Sequence, residues 1–268
     1  MQIGKKIFDT KNRVYVMGIL NVTPDSFSDG GRYTRMDAAL FHAEEMVKEG
    51  ADILDVGGES TRPGHKKISS EEEICRIAPV IERLKESFDV PISIDTCKSR
   101  VASAALSAGA GLVNDIWGLK YDKEMAAVIA ENHAACCLMH NRDQAVYTDL
   151  AAEVCADLMD SVRLAKDAGI SDGQIILDPG IGFGKTCEMN LEMLKRLGEL
   201  KRLGYPVLLG ASRKSVIGLT LNLPVGERLE GTIVTTVMAV MSGCSFVRVH
   251  DVKANLRAVR MAEAILKA

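Results

Sequence analysis

Three side chains with the chemistry to bind a heterocycle each stand where a short apolar run of the chain ends. They are Asp95, Asn114 and Asp178. Two carboxylates and a carboxamide together accept hydrogen bonds from, and donate to, a ring edge that carries both N–H and C=O groups. Capping of the following helices is the alternative for the two aspartates, but it gives no reason for a carboxamide at position 114. The pattern therefore favours a polar binding pocket.

Basic side chains cluster at the ends of the last two apolar runs. Arg213 and Lys214 follow the seventh run, and Arg248 and His250 lie two residues apart in the eighth. Residues two apart share one face of a strand. Arginine binds phosphate through two parallel hydrogen bonds, and lysine adds a point charge. A structural salt bridge for each is the alternative, but several cations at one end of the fold favour an anion site.

A glycine-rich segment, residues 179–186, imitates nucleotide-binding motifs without matching them. A P-loop would need glycine where Pro179 stands, and a dinucleotide-binding fingerprint would need one where Lys185 stands. We expect the glycines instead to let the backbone pass close under a flat ligand, with Phe183 as a stacking wall.

Two polar segments, residues 21–31 and 59–64, are too long for tight turns and follow the first two apolar runs. Both are typical of lids that fold over a ligand and exclude water. Asn21 stands at the start of the first segment, where its carbonyl oxygen could ligate Mg²⁺ alongside phosphate oxygens and waters. Asp55 and His140 also close apolar runs, and we expect structural hydrogen bonds for both.

The apolar runs themselves are the elements that must position these groups. A continuous apolar run is what a strand buried on both faces of a parallel sheet requires. The predicted strands cover residues 14–22, 52–58, 91–96, 111–118, 134–140, 174–180, 206–212 and 245–251. Stretches with helical spacing follow them at 37–50, 69–88, 98–109, 122–133, 149–169, 187–203, 226–242 and 252–267.

Eight strands that alternate with eight helices predict an α/β fold, a single (β/α)8 TIM barrel over residues 1–268. The carboxyl ends of its strands would build the active site. Residues 5–12 predict a short N-terminal hairpin that caps the bottom of the barrel. An open doubly wound sheet is the alternative, although it usually has fewer units.

Composition narrows the functional class further. A net charge of -3 gives no reason to expect a nucleic-acid surface. No run approaches the ~20 apolar residues that a membrane helix needs, and the start of the chain lacks the apolar stretch of a signal peptide. The seven cysteines are scattered, and no pair is spaced as CxxC, which favours free thiols in a reducing compartment. We therefore expect a cytoplasmic protein.

Seven segments of the chain together resemble the dihydropteroate synthase family of the folate pathway. They are residues 18–31, 55–64, 94–96, 113–115, 177–185, 210–215 and 248–251, and they span almost the whole chain in order. The resemblance implies condensation of 7,8-dihydropterin-6-ylmethyl diphosphate with 4-aminobenzoate, which yields 7,8-dihydropteroate and pyrophosphate. It also implies a homodimer and a site at which sulfonamides compete.

The resemblance further implies a role for individual residues. The pterin would be held by Asp95, Asn114, Asp178 and Lys214. The diphosphate would be held by Thr61, Arg248, His250 and a Mg²⁺ ion on Asn21. The aminobenzoate site would be shaped by Phe27, Ser28, Arg62, Pro63 and Ser215.

A dissociative mechanism fits these roles. Departure of pyrophosphate ahead of attack leaves a delocalised pterin-methyl cation, which we expect Asp95 to stabilise. The aryl amine is neutral near pH 7, so no strong general base is required. Two alternatives remain, namely a methyltetrahydrofolate-dependent corrinoid methyltransferase and a pterin-binding barrel without activity. The diphosphate-binding residues and the segment 21–31 argue against both.

Overall fold

The computed structural model describes residues 1–22, 32–59 and 67–268, with side chains from residue 36 in the second range. Two strands form an antiparallel hairpin, β1 (Gln2–Ile3) and β2 (Lys6–Ile7). The parallel strands that follow are β3 (Tyr15–Asn21), β4 (Ile53–Gly57), β5 (Ile92–Asp95), β6 (Leu112–Asp115), β7 (Ala135–Met139), β8 (Ile175–Asp178), β9 (Leu208–Leu209) and β10 (Phe246–Val249).

These eight strands form the predicted barrel. Their order in the sheet is β8-β7-β6-β5-β4-β3-β10-β9. A single parallel bridge between Leu177 and Val207 joins β8 to the start of β9 and closes the ring. The barrel is confirmed, and the open doubly wound sheet is wrong.

Helices cover the outside of the barrel. They are α1 (Arg32–Glu49), α2 (Ser70–Ser87), α3 (Ser99–Ala108), α4 (Met125–Glu131), α5 (Leu150–Asp167), α6 (Cys187–Lys195), α7 (Ser215–Leu221), α8 (Leu229–Met241) and α9 (Val252–Lys267). The short helix α7 is not among the predicted elements. The predicted helix 187–203 is α-helical only to Lys195 and continues as a 3-10 helix over Leu197–Leu203. Among the described residues, no helix is long and apolar enough to cross a membrane.

Burial explains why the strands read as continuous apolar runs. Every residue of β4, β5, β6, β7 and β8 is buried. In a barrel one face of each strand packs against the helices and the other fills the interior, so neither face tolerates an unpaired polar group. The buried polar residues at the strand ends are therefore exceptions that need a specific reason.

The N-terminal hairpin closes the amino end of the barrel, as predicted for residues 5–12, although its strands begin earlier. Phe8, which follows β2, packs edge-on against Tyr15 with ring centroids 4.8 Å apart. It also contacts Phe246 at a centroid distance of 5.8 Å. Ile3 of β1 is fully buried in the same cluster. The amino end is thus filled by side chains, which leaves the carboxyl end as the open face.

Candidate active site

Strand register brings the predicted heterocycle-binding residues together at the carboxyl end of the barrel. Asp95 at the end of β5 pairs with Asn114 in β6, and on its other side with Gly57 at the end of β4. Asp178 ends β8. All three polar side chains are buried, with at most 5% of their surface exposed. The three side chains therefore lie at the same end of the barrel, two on the adjacent strands β5 and β6 and one on β8, as the spacing of the apolar runs predicts.

Arg248 of β10 lies across the middle of this site and binds two buried carboxylates. Its Nε donates to Asp55 Oδ2 at 2.5 Å, and its Nη2 donates to Asp95 Oδ2 at 2.7 Å. Asn114 Nδ2 donates to the same Asp55 oxygen at 3.4 Å. The cap position of α3 is occupied by Lys98. Asp95 is therefore not the N-cap of α3, and the alternative of a structural salt bridge is present for Arg248.

Asp55 has the hydrogen bonds expected of it, but its position is more central than the sequence indicates. It is fully buried and shares Arg248 with Asp95. A carboxylate inside an apolar strand is costly unless it is paired. The position of Asp55 inside an apolar run therefore indicates a partner of opposite charge. The sequence does not show which cation this partner is.

Burial shifts the pKa values of the charged groups in the site. It raises the pKa of Asp95 to about 7 and also raises the pKa of Asp178, while it lowers the pKa of Lys214 to about 8. The same cluster contains Asp55 and Arg248, and the charge of Lys185 also acts on Asp178. Two buried oxygens, Asp55 Oδ1 and Asp95 Oδ1, have no hydrogen-bond partner among the described residues. A ligand that donates N–H groups, or one that develops positive charge, suits this arrangement.

The side chain of Lys214 connects the site to the glycine-rich segment. Its Nζ donates to the carbonyl oxygen of Ile181. The same Nζ lies 4.6 Å from the centroid of the half-buried Phe183 ring, which is a cation–π distance. Phe183 is thus placed beside the pocket, where it can serve as a wall for a flat ligand.

Contacts within the protein already require glycine at two of the three glycine positions in this segment. Gly180 and Gly184 have φ of 69° and 54°. A Cβ at Gly180 would overlap the carbonyl oxygen of His140, and a Cβ at Gly184 would overlap that of Arg142. These two glycines let the loop pack closely against the neighbouring β7–α5 connection. Gly182 instead faces the Lys214 side chain.

The predicted anion-binding residues lie around the last two strands but are engaged in different ways. Arg213 is held by Asp251, with Nε 3.0 Å from Oδ2. Ser212 Oγ lies 3.0 Å from His250 Nδ1 and also accepts from the His250 backbone N–H at 3.1 Å. Arg213 therefore takes the structural role considered for it, while His250 stays at the mouth of the barrel.

The remaining predicted site residues fall into two groups. Asn21 is exposed at the end of β3, and Ser215 is the exposed first residue of α7. The others, Phe27, Ser28, Thr61, Arg62 and Pro63, lie outside the described residues.

His140 is buried and has the structural hydrogen bonds expected of it. Its Nε2 lies 3.1 Å from Asp157 Oδ2, and its Nδ1 lies 2.9 Å from Lys185 Nζ. Burial, reinforced by the charge of Lys185, lowers the pKa of His140 to about 3, so the ring is neutral near pH 7. The sequence does not predict Lys185 as the partner of His140. This lysine stands out there only as a mismatch to a nucleotide-binding motif.

Comparison with known protein families gives a consistent result. The family described as "Pterin binding enzyme" matches residues 17–250. A dihydropteroate synthase from Clostridium beijerinckii is 58% identical over 268 residues, which is the whole of both chains. One from Bacillus subtilis is 53% identical over 256 residues, which covers 96% of this chain and 90% of that one.

Comparison with solved structures agrees. The chain is similar to a dihydropteroate synthase from Clostridium difficile, crystallised in the presence of pteroic acid, with a TM-score of 0.96 and 53% identity over 98% of this chain and 100% of that one. It is also similar to the Xanthomonas albilineans dihydropteroate synthase with 4-aminobenzoic acid, with a TM-score of 0.92 and 42% identity over 96% and 94% of the two chains.

Proposed function

The chain belongs to the pterin-binding enzymes and, within them, to the dihydropteroate synthases of folate biosynthesis, and we propose how its residues carry out that synthesis. In the proposed reaction, 7,8-dihydropterin-6-ylmethyl diphosphate and 4-aminobenzoate condense to 7,8-dihydropteroate, with release of pyrophosphate. The observation that carries the assignment of residues is the surplus of buried acceptor oxygens around Arg248.

The pterin ring binds where those acceptors lie. Asp95 and Asp178 accept hydrogen bonds from its N–H groups, and Asn114 supplies a donor and an acceptor. Phe183, which follows β8, and Lys214, which follows β9, also line the pocket. Lys214 Nζ lies 4.6 Å from the centroid of the Phe183 ring, so the cation is already over the aromatic face. A flat ring with several N–H donors can satisfy Asp95 Oδ1, which has no hydrogen-bond partner in the part of the chain that the structure describes.

The diphosphate binds toward β10 and β3. The two salt bridges of Arg248 use two of its five guanidinium N–H donors, so donors remain for a phosphate oxygen. His250 and Thr61 complete this part of the proposed site. Arg62, Pro63, Phe27, Ser28 and Ser215 are proposed to shape the aminobenzoate site.

Mg²⁺ is proposed as the cofactor, bound by Asn21. The described residues contain no group of three or more His, Cys, Asp or Glu side chains that could hold a metal ion. A single exposed carboxamide at the end of β3 fits an ion that takes most of its ligands from the diphosphate and water, as Mg²⁺ does. When bound, such an ion would neutralise charge on the departing pyrophosphate.

The buried carboxylate of Asp95 favours a dissociative reaction. The bond between the pterin methylene carbon and the diphosphate oxygen breaks first, and its electron pair leaves with pyrophosphate. The remaining pterin-methyl cation is stabilised by the carboxylate of Asp95 in its ionised form. The nitrogen of 4-aminobenzoate then forms the new bond to the methylene carbon and loses a proton. Because that amine is neutral at pH 7, the reaction needs no strong general base.

The assay is pyrophosphate release from the two substrates with Mg²⁺. We expect release coupled to consumption of 4-aminobenzoate, and slower release when the amine is left out. Strict dependence of the release on the amine would contradict the dissociative order. Binding of methyltetrahydrofolate without any pyrophosphate release would instead support a methyltransferase, and binding of pterin without turnover would support an inactive barrel.

Asp95→Asn tests the residue at the centre of this mechanism. The substitution preserves size and one acceptor oxygen, so binding of pterin diphosphate should weaken only modestly. Turnover should fall steeply because the negative charge next to the developing cation is lost. Unchanged turnover would remove Asp95 from the mechanism.

A homodimer is proposed from the apolar surface of the last three helices. Exposed apolar side chains on α7, α8 and α9 include Leu219, Val234, Met241, Met261 and Ile265. A second copy of the chain would remove this surface from water. Light scattering should give a molecular mass twice that of the monomer. Met261→Glu should shift the measured mass toward that of a single chain.

Two further predictions complete the proposal. The seven cysteines are all free, which supports a reducing, cytoplasmic location. Residues 1–268 are proposed to form one pterin-binding domain with no nucleic-acid or membrane partner.

A further inference from the structure

Lys185 lies behind the pocket, between the glycine-rich loop of residues 180–184 and strand β7. Its Nζ lies 2.9 Å from His140 Nδ1 and 3.1 Å from each of the carbonyl oxygens of Gly180 and Phe183. A lysine ammonium has three N–H donors and no acceptor. The three acceptors around Nζ match the three donors of the charged side chain, whose pKa burial lowers to about 7. Lys185 thus holds the loop from inside.

The Asp157 carboxylate determines the proton position on His140. Since a carboxylate only accepts, Nε2 of His140 carries the ring proton, and Nδ1 accepts from Lys185 Nζ. Nε2 lies 3.1 Å from Asp157 Oδ2, which accepts that proton. The same Asp157 oxygen accepts from Arg142 Nε at 2.7 Å. Asp157, His140 and Lys185 thus form a continuous hydrogen-bond relay from α5 to the loop.

Other contacts hold the same loop. Gly180 packs directly against the carbonyl oxygen of His140. The hydroxyl of Tyr147 donates to the carbonyl oxygen of Gly184 at 2.8 Å. Lys214 donates to the carbonyl oxygen of Ile181 from the pocket side. The backbone of the loop therefore accepts hydrogen bonds on two sides. Lys185 donates from the side away from the pocket, and Lys214 donates from the pocket side.

We propose that the Asp157–His140–Lys185 relay is a positioning device for the pterin pocket, and that Lys185 is the positioning residue that holds Phe183 against Lys214. None of the three relay side chains needs to touch substrate. The proposal rests on the proposed function, because it assumes that Phe183 and Lys214 bind the pterin ring.

Lys185→Met tests the proposal, since methionine has a similar length but none of the donors. We expect the KM for pterin diphosphate to rise by up to about 100-fold, the size of the loss that a misplacement of about 1 Å can cause. The KM for 4-aminobenzoate should change much less. Lys195→Met, at an exposed position on α6, is the matched control and should leave both values unchanged.

His140→Ala and the double variant test the connection within the relay. If His140 acts only through Lys185, the double variant should have the same KM as Lys185→Met alone. Multiplication of the two single effects in the double variant would show that the residues act independently, and would overturn the relay. A KM for pterin diphosphate that is unchanged in Lys185→Met would overturn the positioning role.

A measurement on the unsubstituted protein keeps the proposal testable if a variant fails to fold. The ¹⁵N resonances of His140 should show a protonated Nε2 and an unprotonated Nδ1 between pH 6 and 8. The opposite tautomer would refute the relay. Failure of the proposed function looks different, because the unsubstituted protein would then release no pyrophosphate from the two substrates.

Discussion

Arg248 is the residue whose removal should affect stability most strongly, and its environment allows the size and pH dependence to be worked out. It is the shared partner of Asp55 and Asp95, which are 0% and 5% exposed. Arg248→Met would keep most of the volume but leave both carboxylates without their cation. Breaking a buried ion pair in this way costs about 3–5 kcal/mol, which lowers Tm on the order of 6–20 °C in a chain of this size.

The loss should depend on pH in a defined direction. Burial already raises the pKa of Asp95 to about 7, against 3.8 for the unperturbed group, and loss of the cation should raise it further. A carboxyl with a raised pKa in the folded state binds its proton more tightly when folded, so its contribution to stability falls as pH rises from its unfolded pKa through its folded one. The difference in stability between the parent and the variant should therefore be larger at pH 8 than at pH 5.

Urea denaturation at several pH values measures this difference. Arg257→Met removes an exposed arginine from α9 and should cost almost nothing at either pH. The triple variant, in which Asp55→Asn and Asp95→Asn accompany Arg248→Met, removes both carboxylate charges and should recover much of the loss. A loss that is equal at pH 5 and pH 8, or a triple variant no more stable than the single one, would refute this reasoning.

Three other substitutions or reactions test separate parts of the structure. Gly180→Ala should cost about 2–5 kcal/mol in a thermal melt because its Cβ would overlap a neighbouring carbonyl at positive φ; Gly173→Ala, which meets no atom within 4 Å, should be close to neutral. Phe8→Ala should cost about 3–5 kcal/mol by emptying the lower barrel, whereas Ile7→Ala, at a site 79% exposed, should cost little. A thiol reagent should modify exposed Cys75 first, and Cys75→Ser should remove that fast phase.

The barrel could be predicted from the sequence because its strands are buried on both faces. Continuous apolar runs such as 135–139 have no other simple explanation at this length, and their eightfold alternation with helices selects the closed sheet. Helix α7 could not be predicted in the same way. Its sequence, residues 215–221, contains β-branched residues and Gly218, which are weak helix formers. The guanidinium of Arg228 packs over Gly218, so a tertiary contact favours this helix.

The strand-end side chains that form the candidate site could be predicted from the sequence, but the pairs that they form could not. Asp95, Asn114 and Asp178 are recognisable because polar residues at the ends of buried strands have no packing role. The pairing of Arg248 with Asp55 could not be predicted from the sequence. The two residues are 193 positions apart, and their contact depends on barrel closure and on the direction of both side chains. The glycines at 180 and 184 show the same limit, since their neighbours are backbone atoms of another connection and not a feature of the local sequence.

The closure of the barrel between β8 and β9 has a consequence for how the pocket adapts. That junction has one bridging pair, Leu177 with Val207, while β3 and β4 share five paired residues. Asp178 ends one side of the junction, and Lys214 follows the other. Widening the barrel there sacrifices fewer backbone hydrogen bonds than at β3 and β4. The junction of the barrel with the fewest paired residues therefore coincides with two of the side chains proposed to bind the pterin ring.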